Sequence, residues 1–312
     1  MSARASVAAP AKVNLSLRIL GARPDGFHDI DTLFQAIDLA DEVSVELAGS
    51  GVHLEVHGAD LGPVEENLAY RAAVRARSET GFESGLRVAL TKRIPVGAGL
   101  GGGSSDAAAV LACVGALAGI DRGDPRLHRI ASDLGSDVAF FLGSAALTRG
   151  TGRGELLEPL APLPAADLVL VSPPVHVSSG GAYRALAEAR REGHAAPPAA
   201  GADAFAPDAL AADAFNAHAF TAPTSWREVA VAAQNDFETV ISARHPEIAR
   251  ALRALREAGA ELAVMTGSGS TSFGLFPDRD TAETAAAELQ RDLGWPCHVA
   301  KTLTSLPLPH GS

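Results

Sequence analysis

The chain has 312 residues, of which 47% are hydrophobic and 5% aromatic, and its 26 basic and 37 acidic residues give a net charge of −11. At ~100–200 residues per domain, this length predicts a globular protein with two domains. The acidic balance argues against non-specific binding to nucleic acid or to an anionic membrane, because both need a basic surface. It does not argue against a phosphorylated small molecule, since a few backbone amides and one lysine suffice to bind one.

The cysteine content and the hydropathy profile predict a soluble cytoplasmic protein. The two cysteines, Cys113 and Cys297, are too few to stabilise a chain of this length by disulfide bonds, which favours two reduced thiols. Residues 1–9 lack the charged and apolar segments of a signal peptide. The apolar run 107–120 is shorter than the ~20 residues that span a bilayer. We therefore expect no membrane partner.

The first half of the chain alternates between strand and helix signals. Apolar residues at every second position predict strands at 15–19, 43–47, 52–56 and 86–90. Glycines at 49 and 51 separate the second and third of these, which indicates a hairpin. Asn67 and Asp124 have the residue types that cap helices, and Gly81 and Gly135 those that end them. The sequence therefore predicts a mixed α/β domain.

The second half begins after a group of prolines at 159, 162 and 164. We place the domain boundary there, which gives domains 1–160 and 161–312. The predicted order is strand, two helices, two strands, helix and strand, which is typical of a split βαβ, ferredoxin-like domain. Residues 194–223 are rich in alanine, proline and aspartate, so we expect a flexible insertion without chemistry of its own.

A glycine-rich loop is the strongest functional signal. It runs from Pro95 to Asp106 and has five glycines in seven positions, followed by an apolar helix pattern. Glycines let several backbone N–H groups point into one concavity, and the helix adds its dipole, so a polyphosphate cradle is predicted. A dinucleotide-binding G-x-G-x-x-G loop is an alternative, as is a flexible linker. The loop has no Gly-Lys-Ser/Thr, and no H-R-D or D-F-G follows, which argues against a P-loop and a protein kinase.

A second glycine cluster spans 265–272, between two predicted strands. By itself it is equally typical of a wide hairpin turn. Beside the first loop, it can form a second wall of one phosphate site.

Four further residues each allow two interpretations, a role in binding or catalysis and an ordinary structural role. They are Lys12, Phe27, His28 and Asp137. Lys12 lies on a strand, where a lysine is usually a solvated surface charge. Phe27 and His28 follow a turn and suit base stacking with a hydrogen bond, or simple loop packing. Asp137 follows a predicted helix end and precedes an apolar segment that we interpret as a strand, so it could be only a turn aspartate. The histidines show no metal-ligand spacing.

Together these segments resemble the GHMP small-molecule kinases. The family signature is the two glycine loops. More specific motifs are the residues at 11–15, 23–28, 31–35, 135–138, 173–179 and 235–238, together with Tyr183. These resemble the branch that phosphorylates the 2-hydroxyl of 4-diphosphocytidyl-2-C-methyl-D-erythritol in the non-mevalonate isoprenoid pathway. Phe27 and Ser179 depart from the tyrosine and threonine that are frequent in that branch.

The resemblance implies an α+β, two-domain GHMP kinase fold. Its N-terminal domain is ribosomal-protein-S5-like and binds nucleotide, and its C-terminal domain is ferredoxin-like. It implies ATP and Mg²⁺ as cofactors, a cytidine diphosphate-linked substrate, and a monomer or homodimer; the metal ligands are left unknown. The alternatives are a homoserine or phosphomevalonate kinase of the same family, or a nucleotide-binding protein without catalysis.

The roles that the resemblance implies can be given residue by residue. Asp137 is the base, and Lys12 is its partner. The substrate contacts are Asn14, Phe27, His28, Ser179 and Tyr183, with Phe27 and Tyr183 stacking on the cytosine. The ATP contacts are Asn67, Lys92, Pro95, Val96, Gly97, Ala98, Gly99, Leu100, Gly101, Gly102, Gly103, Ser104 and Ser105.

Overall fold

The computed structural model describes residues 3–195 and 225–311. All but the first two residues of the predicted insertion 194–223 lie outside these ranges. The strands are β1 (Arg4–Ala22), β2 (His28–Leu47), β3 (Val52–His57), β4 (Leu86–Thr91), β5 (Leu147–Thr151), β6 (Leu156–Pro159), β7 (Asp167–Val171), β8 (Leu262–Met265), β9 (Ser272–Phe276), β10 (Cys297–Lys301) and β11 (His310–Gly311). The helices are α1 (Leu68–Thr80), α2 (Gly102–Ala118), α3 (Pro125–Leu134), α4 (Ser136–Leu142), α5 (Ser179–Arg191), α6 (Trp226–Ala232), α7 (Glu238–Arg244), α8 (Pro246–Glu257) and α9 (Arg279–Leu293).

The first sheet has the strand order β11-β1-β2-β4-β3, and β5 joins β2 to β6. The predicted hairpin of β2 and β3 is wrong, because β4 lies between them and pairs with β3 in parallel. Leu86, Val88 and Leu90 of β4 are fully buried, so β4 is an inner strand that needs a neighbour on both edges. The polar residues of β3 are exposed, which suits an edge strand.

The hairpin of β1 and β2 is the longest element of the fold. Its pairing runs from Arg4–Glu46 to Ala22–His28, with register shifts that include one after Asn14. Along this length it contributes to three separate hydrophobic clusters. The hairpin therefore contacts the helices of the first sheet, the cluster between the two sheets, and the helices α5 and α7.

The helices of the first half follow the predicted caps. The side chains of Asn67 and Asp124 accept hydrogen bonds from the backbone N–H groups two residues later, and Gly81 and Gly135 end α1 and α3. The segment after Asp137 is a helix, α4, so the predicted strand is wrong there. None of the helices within the described ranges has the length and apolar run that a bilayer crossing needs.

The second sheet is antiparallel, in the order β10-β7-β9-β8. This strand order is that of the predicted ferredoxin-like domain, but within the described residues the four helices α5–α8 lie between β7 and β8, where two were predicted. The last helix begins after Asp278, whose side chain accepts from the backbone N–H of Thr281 at 2.8 Å. Leu160 and Leu163, in the link between the sheets, are buried in a cluster that includes residues of both. The division at residue 160 stays a prediction.

Candidate active site

The glycine-rich loop connects β4 to α2 and forms one wall of a cleft of about 320 Å³, here called the loop cleft. Gly97, Gly99 and Gly101 have φ of 69°, 80° and 72°, a left-handed backbone that favours glycine. Residues 95–104 line the cleft together with Leu61, Asn67, Leu68, Lys92 and Asp106. Ser105 is buried and does not line it. The loop is thus concave, as the glycine spacing predicts.

The two glycine loops are in contact, but none of the residues 265–272 lines the loop cleft, so a second wall of the phosphate site stays a prediction. Thr271 donates its backbone N–H to the carbonyl of Ala98 at 3.3 Å. A Cβ atom at Gly99 would lie 2.5 Å from the carbonyl oxygen of Thr266, so only glycine permits this approach. Gly267 and Ser268 of the second loop also line a larger neighbouring cleft of about 550 Å³, here called the main cleft.

Lys12 and Asp137 meet in the main cleft, where the Lys12 Nζ atom lies 3.7 Å from Asp137 Oδ2. The surface position considered for Lys12 is wrong, because the residue is 4% exposed. Burial lowers the pKa of Lys12, and the charge of Asp137 opposes that shift. Lys12 also donates to Asn14 Oδ1 at 2.6 Å. The ammonium group is therefore held between an amide oxygen and a carboxylate.

Asn14 is fixed in turn by two threonines. Its backbone N–H donates to Thr266 Oγ1 at 2.9 Å, and its side-chain amide donates to Thr32 Oγ1 at 2.7 Å. Gly99, Gly101 and Ser104 line both clefts, so the glycine loop separates them. Lys12, Asn14 and Asp137 consequently lie beside the loop on the main-cleft side.

Aromatic side chains form the other end of the main cleft. Phe27 is 53% exposed and lines the cleft, as does Tyr183. The rings of His28 and Tyr183 stack at 4.4 Å, and Phe237 meets the Tyr183 ring edge-on at 4.9 Å. In this arrangement His28 covers one face of Tyr183.

Two polar groups accompany this aromatic end. Burial and the charge of Arg190 lower the pKa of His28, so its imidazole is neutral at pH 7, with one donor and one acceptor nitrogen. Ser179 lines the cleft and its hydroxyl lies 3.3 Å from that of Ser268, in the second glycine loop.

Under the glycine loop lies a charged cluster that the sequence did not reveal. Lys92 donates to Asp41, and to Asp106 Oδ2 at 2.6 Å, and all three are buried. Asp41 also accepts from the backbone N–H of Ile94 at 2.8 Å, at the start of the loop. Burial raises the pKa of Asp106 to about 7, against the opposing effect of Lys92. Lys92 lines the loop cleft, but two carboxylates hold its ammonium group.

Asn235 anchors the second glycine loop, again without a local signal. Its amide donates to the carbonyls of Met265 and Gly267 at 2.7 and 2.8 Å, and its Oδ1 accepts from the Phe237 N–H at 3.0 Å. The sequence placed it only within a motif of the resemblance.

No group of three His, Cys, Asp or Glu side chains suitable for a metal ion occurs within residues 3–195 and 225–311. Mg²⁺ bound to a nucleotide commonly takes only one or two protein ligands besides phosphates and water. The hydroxyl of Ser104 is an oxygen donor of the kind it prefers, and Ser104 lines both clefts. A single hydroxyl beside nucleotide phosphates fits the ion.

Comparison with known proteins assigns the fold to one class. Residues 67–144 match the sequence model of the GHMP kinases N terminal domain, and residues 212–294 match that of the GHMP kinases C terminal domain. A solved homoserine kinase from Cytophaga hutchinsonii, 20% identical, superimposes with a TM-score of 0.67 over 99% of this chain and 97% of its own. At that identity the likeness shows the GHMP kinase fold alone.

Closer relatives narrow the class. The chain is 41% identical to 4-diphosphocytidyl-2-C-methyl-D-erythritol kinase of Pelotomaculum thermopropionicum, over 91% of this chain and 93% of that protein. A crystal structure of 4-(cytidine 5'-diphospho)-2C-methyl-D-erythritol kinase is 36% identical, with a TM-score of 0.73 over 95% of this chain and 98% of its own. The chain therefore belongs to the 4-diphosphocytidyl-2-C-methyl-D-erythritol kinase family, within the GHMP kinases.

Proposed function

We propose that the chain transfers the γ-phosphoryl group of ATP to the 2-hydroxyl of 4-diphosphocytidyl-2-C-methyl-D-erythritol, in isoprenoid biosynthesis. Its family supports this reaction. The observation that carries the proposal is the pairing of Lys12 with Asp137 at 3.7 Å, beside the glycine loop that separates the two clefts. A group that activates the alcohol thus lies next to a loop suited to the phosphates.

In the proposed reaction, the 2-hydroxyl lies against Asp137. Its proton passes to the Asp137 carboxylate as the oxygen attacks the γ-phosphorus and the bond to the β-phosphate bridging oxygen breaks, leaving ADP. The charge of Lys12 pairs with Asp137 and faces the charge that develops on the transferring group. Asn14 holds the Lys12 ammonium group in this place.

The loop cleft is the proposed ATP site. Backbone N–H groups of the glycine loop and the start of α2 bind the phosphates. Asn67 and Lys92 lie on the same wall, where the adenosine is expected. Ser104, which lines both clefts, is the proposed protein ligand of Mg²⁺. The ion, when bound, neutralises phosphate charge.

The main cleft is the proposed site of the cytidine substrate. Phe27 and Tyr183 contribute stacking to cytosine, and the neutral His28 can both donate to and accept from its edge. Because His28 stacks on Tyr183, the base must either use the free face or displace the imidazole. Ser179 completes the cleft wall. The cytoplasmic location and the monomer or homodimer state stay predictions.

A coupled assay of ADP release with the cytidine substrate, and with homoserine and phosphomevalonate as rival acceptors, tests this proposal. We expect Asp137→Asn to lower kcat by roughly 10²–10⁴-fold with KM little changed, and Lys12→Met to lower it comparably. Asp133→Asn is the matched control, since Asp133 lines the same cleft but pairs with Arg75 at 2.6 Å. Wild-type kcat in Asp137→Asn, or turnover of a rival acceptor alone, would overturn the proposal.

A further inference from the structure

Arg153 has no role in the reaction described above, yet it lies in the wall of the main cleft. It belongs to the turn between β5 and β6. The carbonyl of Gly152 in this turn accepts from the backbone N–H of Ile30 at 2.7 Å, close to Phe27 and His28. On its other side, a Cβ at Gly154 would lie 3.5 Å from the Cβ of Ser136. The turn is therefore fixed between the aromatic end of the cleft and the helix that carries Asp137.

The guanidinium group of Arg153 lies over the face of an aromatic ring. Its central carbon is 4.9 Å from the centroid of the Phe27 ring. The Nε atom of Arg153 donates to Glu155 Oε1 at 3.4 Å, so this edge of the guanidinium group is paired. The two terminal nitrogens have no partner among the described residues. A guanidinium that lies over a ring directs its N–H groups within its own plane. The two terminal nitrogens of Arg153 are therefore available to bind an anion.

The charges of the cleft wall also single out Arg153. Within the described residues, the wall has two cations, Lys12 and Arg153, and two carboxylates, Asp133 and Asp137. Lys12 is committed to Asn14 and Asp137 at the reacting end. A diphosphate entering this cleft brings at least two negative charges, and without Arg153 it would meet a wall of net negative charge.

We propose that Arg153 binds the diphosphate that joins the cytidine to the erythritol unit. The proposal rests on the function proposed above. The diphosphate links the base to the sugar-like end, so it must lie between Phe27 and Asp137, where the Arg153 turn is fixed. Binding moves the guanidinium from the Phe27 ring to the phosphate oxygens, which it contacts through two parallel N–H bonds. The same movement frees the Phe27 face for the base.

Calorimetric binding of cytidine and of cytidine 5'-diphosphate tests this assignment without turnover. In the wild type we expect the diphosphate to bind about 10–100-fold more tightly than cytidine, the gain typical of a charge-assisted contact. In Arg153→Met this ratio should fall below about threefold, and Arg153→Lys, which keeps the charge but loses the fork, should lie between. Arg23→Met is the control, because Arg23 pairs with Asp29 at 2.6 Å and does not line the cleft.

The assay of turnover separates a contact with the diphosphate from a general structural role. In Arg153→Met we expect KM for the cytidine substrate to rise about 10–100-fold, while kcat and KM for ATP change little. An unchanged diphosphate-to-cytidine ratio in Arg153→Met, or an equal loss in Arg23→Met, would overturn the assignment. A wild type that prefers the diphosphate through Arg153 but does not phosphorylate the substrate would refute the proposed function and leave this assignment standing.

Discussion

Gly101 allows a sharp test of how the glycine loop positions Lys12, the proposed partner of the catalytic base. It precedes α2 with φ 72° and ψ 14°, and an added Cβ would lie 3.2 Å from Cγ and Cε of Lys12 and 3.0 Å from the Phe141 ring. Gly119, at the other end of the same helix, has φ 65° and ψ 27°, and its added Cβ would meet nothing within 4 Å. The two glycines therefore share a backbone cost and differ in their contacts.

Alanine at either position should cost about 1–2 kcal/mol of stability, because a left-handed backbone is unfavourable for any residue with a Cβ. At Gly101 alone, the lysine stem must also move by a few tenths of an ångström. Since a displacement of ~1 Å can cost ~10²-fold in rate, a shift of about half that size predicts a loss of about tenfold in kcat.

The assay compares kcat and thermal unfolding for Gly101→Ala, Gly119→Ala and the wild type. Both variants should lose roughly 2–8 °C in Tm, while only Gly101→Ala should lose activity. If the two variants had the same kcat, the loop would not position Lys12, and the reasoning would be wrong.

Two further predictions concern the anchors of the two loops. Asn235→Ala leaves the carbonyls of Met265 and Gly267 without their donor, so urea unfolding should show a loss of about 2–4 kcal/mol; Asn235→Asp, which turns a carboxylate oxygen toward both carbonyls, should lose at least as much. Asp106 has a pKa of about 7 in the folded protein against 3.8 ordinarily, so the folded state binds the extra proton and loses stability as pH rises from about 4 to 7. Asp106→Asn should flatten this fall in the urea midpoint, and an identical pH dependence in both proteins would contradict the buried-carboxyl account.

Features that depend on neighbouring residues could be predicted from the sequence. Asn67 and Asp124 cap their helices by bonds to N–H groups two residues away, so residue type and position suffice. The glycine loop is similar, because its left-handed positions must be glycine wherever the chain goes afterwards. The ferredoxin-like order follows from the alternation of periods along the second half.

Features set by distant residues could not be predicted in this way. Strand β3 pairs with β4 rather than with β2, and sequence periodicity does not encode which strand is the neighbour. The apolar run after Asp137 is too short for its period to separate strand from helix. Lys12 is buried because residues distant in the sequence, Gly101 and Asp137, lie beside its side chain. Lys92 pairs with Asp41 and Asp106, which lie 51 and 14 residues away in the chain, so no local pattern indicates the cluster.

The long ribbon of β1 and β2 has a mechanical consequence for the enzyme. Many kinases enclose their substrates by swinging one lobe against another about a hinge of a few residues. Here the ribbon of 19- and 20-residue strands passes through three hydrophobic clusters, and β11 pairs with its outer edge. The far end of this ribbon packs with residues of α5 and α7 in one of these clusters, so a swing of that kind would have to break those contacts. We therefore expect exclusion of water from the reacting groups to depend on small movements of side chains and turns at the cleft rim.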